Sequence, residues 1–217
     1  VHICFHADPD PRPGNSLNMP KLPADLNRAI WGGTTVRLNR KTSFLLVIDI
    51  QSKLAPAIHG GRDITSRSAA LIKTARLMGV PVFATEHCAD RIGPLLEELR
   101  RLLDSNEILS KRQFCCTDEP YILKRLKQTG RCQAVVIGME AHVCVLQAAL
   151  GLAEHGFSTY FVGDASGSRH AADHAAAIER LRAERIRVVT TEMVIFEWLG
   201  DPDTEAFREA LGIVKSL

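Results

Sequence analysis

Strand-like apolar runs alternate with helical patterns along most of this chain, and this alternation limits the folds open to it. Residues 44–48 are continuously apolar, which is typical of a central parallel strand covered on both faces. Further strand-like runs occupy residues 81–85, 108–110, 134–137, 158–162 and 187–190, and helical patterns occupy residues 63–78, 92–103, 117–128, 143–155, 170–184, 192–199 and 204–211. Strands separated by single helices form right-handed crossovers. The pattern predicts the α/β class: one three-layer α/β/α sandwich with a mainly parallel central sheet of about six strands.

The first 40 residues differ from the rest. Residues 8–15 are Pro-rich, polar and aperiodic, which is typical of loosely ordered chain. We therefore expect an N-terminal extension over residues 1–40, partly disordered or loosely packed, and a single domain over residues 41–217. The extension lacks the apolar core of a secretory signal, and no run approaches the roughly 20 apolar residues that span a bilayer. We expect a cytoplasmic protein, and targeting to an organelle by the extension stays open.

Charge and cysteine usage exclude several function classes. The formal net charge is only +2 and the basic residues are scattered, so neither nucleic acid nor a membrane surface is expected as a partner. The six cysteines form no CxxC pair and lack the spacing of a zinc site. We expect reduced thiols, no metal, no cofactor and a small-molecule substrate.

Four ionisable or nucleophilic side chains follow strand-like segments directly or closely: Asp49, Glu86, Lys111 and Cys144. In open parallel sheets, ligands bind beyond the carboxyl ends of the strands. The sequence therefore predicts that these four residues share one edge of the sheet.

Cys144 lies where the strand-like run 134–137 gives way to a helical pattern. Unpaired N–H groups and the helix dipole at such a junction favour an anion, so we expect the thiol to lose its proton more easily than a free one. Near Cys144, Asp49 becomes a candidate base and Lys111 a candidate orienting cation. Taken singly, Asp49 is better explained as a structural carboxylate and Lys111 as a solvated lysine.

Acyl transfer also needs N–H donors for the developing oxyanion. The backbone N–H of Cys144 is one candidate, and that of Glu140 is a second if residues 138–141 fold back towards the sulfur. By position alone, Glu86, Phe114 and Leu54 are predicted to bind the substrate.

Other thiols and imidazoles are weaker candidates. Cys88 also follows a strand, and the pair Cys115 and Cys116 suggests an alternative redox-sensing function. His142 is too close to Cys144 along the turn for a direct base role. His170 and His174 have the i, i+4 spacing of metal ligands, but the HExxH pattern and a third ligand are absent.

Three motifs carry a family resemblance: Asp49 within residues 46–51, Lys111 within residues 110–114, and Cys144 within residues 138–145. Together with residues 84–86 and 163–165, they resemble the isochorismatase-like cysteine hydrolase family, and most closely its isochorismatase-domain-containing branch. The resemblance covers residues 42–217 and includes the Rossmann-like fold of that family.

The resemblance implies an Asp49–Lys111–Cys144 catalytic triad and a homo-oligomer, a dimer or larger. It also implies a cis peptide bond between Met139 and Glu140, which would turn the Glu140 N–H towards the oxyanion. Metal-dependent nicotinamidases of the family carry an Asp-x-His pattern that His59 and His87 do not reproduce here.

These observations predict a metal-independent hydrolase that cleaves a small-molecule C–N bond, of the amide or carbamoyl type, through a thioester acyl-enzyme. The alternatives are an isochorismatase-type vinyl-ether hydrolase, and a non-catalytic or redox-sensing protein of the same fold.

Overall fold

A computed structural model of the protein describes residues 36–215 and residue 217. Most of the predicted N-terminal extension, residues 1–35, lies outside the described residues, so that extension stays a prediction. The described residues belong to one compact unit.

The central sheet has six strands, all parallel, in the order β3-β2-β1-β4-β5-β6. The strands are β1 (Ser43–Ile48), β2 (Val82–His87), β3 (Ile108–Lys111), β4 (Gln133–Met139), β5 (Ser158–Gly167) and β6 (Arg187–Val189). The predicted six-stranded α/β/α sandwich is therefore confirmed. The chain builds outwards from β1 in one direction and then from β4 in the other, which places the topological switch point between these two neighbours.

Eight α-helices connect and flank the strands in the described part of the chain. They are α1 (Gly61–Leu77), α2 (Ala89–Ile92), α3 (Glu97–Arg100), α4 (Pro120–Lys127), α5 (Leu146–Glu154), α6 (Ala171–Ala183), α7 (Thr191–Leu199) and α8 (Glu205–Val214). None of the helices in residues 36–215 is both long enough and apolar enough to cross a membrane.

The hydrophobic core lies on both faces of the sheet. Leu45 and Val47 of β1 pack into one cluster with α1, α7 and α8, whereas Phe44, Leu46 and Ile48 pack into the other with α4, α5 and α6. All six residues of β1 are buried. Burial on both faces explains why this strand is continuously apolar rather than alternating.

One predicted helix is wrong. Within residues 92–103, only Glu97–Arg100 forms a helix, α3, and Ile92 ends the preceding helix α2; residues 93–96 between them are not helical. Gly93 has a φ of 81°, a left-handed conformation that ends a helix. Leu95 and Leu99 still bury their side chains, so the apolar spacing reflects core contacts without a continuous helix.

Candidate active site

Asp49 and Lys111 form a buried ion pair at the carboxyl edge of the sheet. Lys111 Nζ lies 2.7 Å from Asp49 Oδ2, and the side chains are 0% and 1% exposed. Asp49 directly follows β1 and has a φ of 51°, a left-handed conformation that is uncommon for non-glycine residues, although aspartate adopts it more readily than most. The hydroxyl group of Thr85 in β2 donates a hydrogen bond of 2.6 Å to Asp49 Oδ1. The carboxylate is therefore fixed from two sides.

The ammonium group of Lys111 is also held by the loop that follows it. Nζ donates to the backbone carbonyls of Gln113 at 3.1 Å and Phe114 at 3.2 Å. The contact with Asp49 is an ion pair without the angle of a regular hydrogen bond, and Oδ2 receives no hydrogen bond from the described residues. Asp49 thus keeps one acceptor position that a neighbouring proton donor can use.

Cys144 lies in a wide helical turn between β4 and α5. The turn spans Ala141–Val145, and its i→i−5 hydrogen bond runs from the Val145 N–H to the Glu140 carbonyl at 3.2 Å. We refer to residues 140–145 as the nucleophile turn. The Met139–Glu140 peptide bond is cis, as the resemblance implied. The helical segment therefore begins at Ala141, and Cys144 lies within its first turn.

The structure brings Cys144 to the ion pair. The charges of Asp49 and Lys111 both act on the thiol, which places the sulfur close to the ion pair. The pKa of the Cys144 thiol is raised to about 12, because burial and the charge of Asp49 raise it more than the charge of Lys111 lowers it. The expectation of a lowered thiol pKa at this strand–helix junction is therefore wrong for the resting site.

The backbone N–H of Glu140 is available for a ligand. In the part of the chain that the structure describes, no backbone carbonyl accepts a hydrogen bond from it. The side chain of Glu140 points elsewhere, since Oε1 accepts a hydrogen bond from Arg169 Nε at 2.7 Å. The arrangement is compatible with the predicted oxyanion donors, Glu140 and Cys144, whose role stays a prediction.

The three predicted substrate-binding residues have different surroundings. Glu86 is buried, and its Oε1 accepts hydrogen bonds from Leu95 N at 2.8 Å and Arg100 Nη2 at 2.6 Å. Leu54 packs against the core cluster on the α1 side of the sheet. Phe114 is 52% exposed and belongs to the loop whose carbonyls bind the Lys111 ammonium. Phe114 is therefore the one of the three whose position beside the ion pair supports contact with a ligand.

Sequence reasoning overlooked His87 at the end of β2. It is paired in register with Lys111 of β3, and its ring stacks on that of Phe114 with centroids 5.2 Å apart. Burial and the nearby Lys111 charge lower the pKa of His87, which favours the neutral imidazole. Its position directly after Glu86 was the available signal. The buried Gln51 was also overlooked; its side chain binds the His87 backbone at both N–H and carbonyl.

The remaining thiol candidates differ in exposure, since Cys115 and Cys116 are buried and Cys88 is partly exposed. Cys115 Sγ contacts Thr117 Oγ1 at 3.0 Å and the Gln147 carbonyl at 3.3 Å. Cys116 is fully buried, and this burial raises the pKa of its thiol. Cys88 precedes α2 with a φ of 40°.

No group of three or more His, Cys, Asp or Glu side chains within residues 36–215 is placed to hold a metal ion. Of the two candidate metal-ligating histidines, His170 precedes α6 and is exposed. His174 is half-buried within α6, and this burial lowers its pKa.

The isochorismatase domain family matches residues 43–193 of the chain. This match contains Asp49, Lys111 and Cys144. Isochorismatase domain-containing protein 1 of Danio rerio is 31% identical over 182 residues, which cover 84% of this chain and 64% of that protein. The chain thus spans less than two thirds of the length of this relative.

Two solved structures resemble this chain in fold. MAR1 ribonuclease from Caenorhabditis elegans has a TM-score of 0.78 at 30% identity, covering 83% of this chain and 93% of that chain. YcaC from Pseudomonas aeruginosa, determined with hexane-2,5-diol and covalent acrylamide, has a TM-score of 0.78 at 27% identity, covering 83% and 92%. With the domain match extending over residues 43–193 and the same fold throughout, the chain belongs to the isochorismatase family.

Proposed function

We propose that the protein is a metal-independent cysteine hydrolase that cleaves a C–N bond of a small amide or carbamoyl compound. The observation that carries this proposal is the buried Asp49–Lys111 ion pair, whose two charges act on the Cys144 thiol. Burying two opposite charges is unfavourable unless they are well paired, and such pairs at a sheet edge beside a nucleophile are typical of active sites. The catalytic residues would be Asp49, Lys111 and Cys144.

The first half of the reaction forms an acyl-enzyme. Asp49 Oδ2, which has an unused acceptor position, takes the proton from Cys144 Sγ as the sulfur attacks the substrate carbonyl carbon. The carbonyl π electrons move to oxygen, and the N–H groups of Glu140 and Cys144 bind the resulting oxyanion. When the carbonyl reforms, the C–N bond breaks and the leaving nitrogen takes the proton from Asp49.

The second half releases the acyl group. A water molecule attacks the thioester carbonyl and gives its proton to Asp49, and the C–S bond then breaks. The sulfur recovers that proton, which restores the thiol. Because its pKa is raised to about 12, the resting thiol holds its proton at neutral pH. Proton transfer to Asp49 must therefore accompany attack on a bound substrate.

Two features support a carbonyl substrate. A buried thiol beside a base suits addition to a carbonyl carbon, whereas a vinyl ether offers no such carbon. The structure of YcaC, whose chain is 27% identical, contains covalent acrylamide, which is itself an unsaturated amide that reacts with thiols. In the proposed pocket, Phe114 borders the substrate, while Glu86 and Leu54 support the surrounding loops.

The test is a screen of amides, ureides and enol ethers against the wild type and Cys144→Ala. We expect the wild type to turn over a carbonyl compound. The turnover rate should fall at least about 1,000-fold in Cys144→Ala, and chelators should not change it. Cys132→Ala is the matched control, because Cys132 is a free thiol on another part of the chain. Undiminished turnover in Cys144→Ala would contradict the proposal.

The alternatives give other outcomes in the same experiment. A vinyl-ether hydrolase would turn over the enol ethers and form no acyl adduct on Cys144. A non-catalytic protein would turn over nothing and show no selective labelling of Cys144. A redox sensor would show an oxidation-dependent change that Cys115→Ser abolishes and Cys144→Ser does not.

We also propose that the protein forms a homo-oligomer, a dimer or larger, as the family resemblance implied. Light scattering coupled to size-exclusion chromatography tests this directly. A monomer at micromolar concentration would contradict it.

A further inference from the structure

Two side chains of the nucleophile turn are fastened to the connection between β5 and α6. His142 Nδ1 and Ser168 Oγ share a hydrogen bond of 2.8 Å. Glu140 Oε1 accepts a hydrogen bond from Arg169 Nε at 2.7 Å. Both partners, Ser168 and Arg169, belong to the short segment between Gly167 and α6. The turn that carries Cys144 is thus held from outside at two positions.

The segment that holds the turn is itself anchored. Ser168 is 1% exposed, and its carbonyl accepts a hydrogen bond from the His59 N–H at 3.0 Å. Gly167 packs so closely that an added Cβ would lie 2.2 Å from Ile64 Cδ1. Because close-packed interiors resist small displacements, Ser168 is a fixed point against which the nucleophile turn can be aligned.

The Arg169 contact is the weaker of the two links, since the Arg169 side chain is 55% exposed. Exposed ion pairs contribute little, because water and salt screen them. The hydrogen bond between His142 and Ser168 joins a partly exposed ring to a buried hydroxyl, so it is the better candidate for holding the nucleophile turn in position.

The groups around His142 also resemble a serine hydrolase triad in composition. Its Nε2 lies 3.8 Å from Asp173 Oδ2, on the other side of the ring from Ser168. That distance is too long for a hydrogen bond, and the Ser168 hydroxyl is too buried to attack a substrate. The arrangement therefore holds a structure in place and does not form a second nucleophile.

We propose that His142 is a positioning residue whose bond to Ser168 keeps the Cys144 thiol against Asp49 and Lys111. In this role His142 acts neither as a base nor through contact with the substrate. The catalytic meaning of this role rests on the proposed function, because Cys144 is the nucleophile only there. The alignment itself can be measured without turnover.

Substitutions at both ends of the bond test the proposal. His142→Phe removes the hydrogen bond, as does Ser168→Ala from the other side. His142→Asn keeps it, because the Asn side-chain amide occupies the place of Nδ1. His155→Asn is the matched control, since His155 is exposed beyond the end of α5. Acrylamide labelling of Cys144, followed by peptide mass spectrometry, reports thiol reactivity in every variant.

We expect His142→Phe and Ser168→Ala to lower kcat about 10- to 100-fold with KM changed less than about threefold, as for a misplaced reacting group. His142→Asn should recover most of the loss, and the control should match the wild type. In a double-mutant cycle, Asp49→Asn should change the Cys144 labelling rate less in the His142→Phe background than in the wild type, because the two groups are no longer aligned.

Equal damage from His142→Asn and His142→Phe, or an unchanged Asp49–Cys144 coupling in His142→Phe, would overturn the proposal. Failure of the proposed function gives a different result. In that case Cys144→Ala would retain turnover, while the labelling cycle would still report whether His142 aligns the thiol.

Discussion

The ammonium of Lys111 lies 2.7 Å from the carboxylate of Asp49, although β2 separates the two strands from which they project. Neither side chain is exposed to water by more than 1%. Charges buried this deeply persist only when each compensates the other. The stability of each charge therefore depends on its partner, and removal of one charge should destabilise the other.

Lys111→Met tests this dependence through stability. The substitution leaves Asp49 buried without a counter-charge, which should lower the free energy of unfolding by about 3–5 kcal/mol. Urea denaturation measures the change. The double variant Asp49→Asn/Lys111→Met removes both charges and should be more stable than Lys111→Met alone. If the double variant is the less stable, the two charges do not compensate each other.

Asp49→Asn should separate thiol reactivity from turnover. Burial, followed by the Asp49 charge, raises the pKa of Cys144, and Lys111 lowers it. Removing the carboxylate charge therefore shifts that pKa downwards from about 12. The midpoint of Cys144 labelling against pH should move to lower pH, and labelling at pH 8 should become faster. Turnover should fall about 100-fold or more, because the base is lost.

The control for this experiment is Asp63→Asn, which removes an exposed carboxylate in the first turn of α1. Its labelling profile and turnover should match the wild type. An unchanged or higher labelling midpoint in Asp49→Asn would show that the carboxylate does not act on the thiol.

The fold was predictable because its signals are local. A strand buried on both faces must be apolar at every position, as β1 is, and helical spacing recurs wherever a helix covers the sheet. The grouping of Asp49, Lys111 and Cys144 followed from the rule that parallel strands present their carboxyl ends at one edge.

The protonation state of the thiol and the role of Glu86 were not predictable, because both depend on contacts between distant segments. Local sequence places Cys144 near a helix N-terminus but does not reveal that its side chain is buried beside a carboxylate. Likewise, Glu86 follows the pattern of a ligand-binding residue, yet Arg100 and the Leu95 N–H occupy its Oε1.

Gly138→Ala should be strongly destabilising. Gly138 has a φ of 136°, and an added Cβ would lie 2.0 Å from the backbone oxygen of Ile48 in the adjacent strand. Neither strand can move apart without breaking the sheet between β1 and β4. We expect the free energy of unfolding to fall by at least about 3 kcal/mol, or the protein to be insoluble.

Gly212→Ala is the matched control for that substitution. Gly212 lies in α8, and nothing is within 4 Å of the position of an added Cβ. Alanine favours the helix, so stability should rise by about 0.5 kcal/mol. If Gly138→Ala were as well tolerated as this control, the close approach of β1 and β4 would be wrong.

Glu86→Gln decides between the structural contacts of Glu86 and its predicted role in substrate binding. The substitution weakens the charge-assisted hydrogen bonds to Arg100 and to the Leu95 N–H, which hold the segment after Gly93 against β2. We expect a loss of about 1–3 kcal/mol in the free energy of unfolding, measured by urea denaturation. KM should change less than about twofold, since Oε1 of the carboxylate is occupied by Arg100 and the Leu95 N–H.

Glu97→Gln provides the comparison, because Glu97 is 65% exposed and pairs with Arg101 on the same helical surface. Loss of this exposed ion pair should change the free energy of unfolding by less than about 0.5 kcal/mol. A tenfold rise in KM for Glu86→Gln without a loss of stability would instead establish Glu86 as a substrate-binding residue. In that case Oε2 would face the substrate, since Oε1 already accepts hydrogen bonds from Arg100 and the Leu95 N–H.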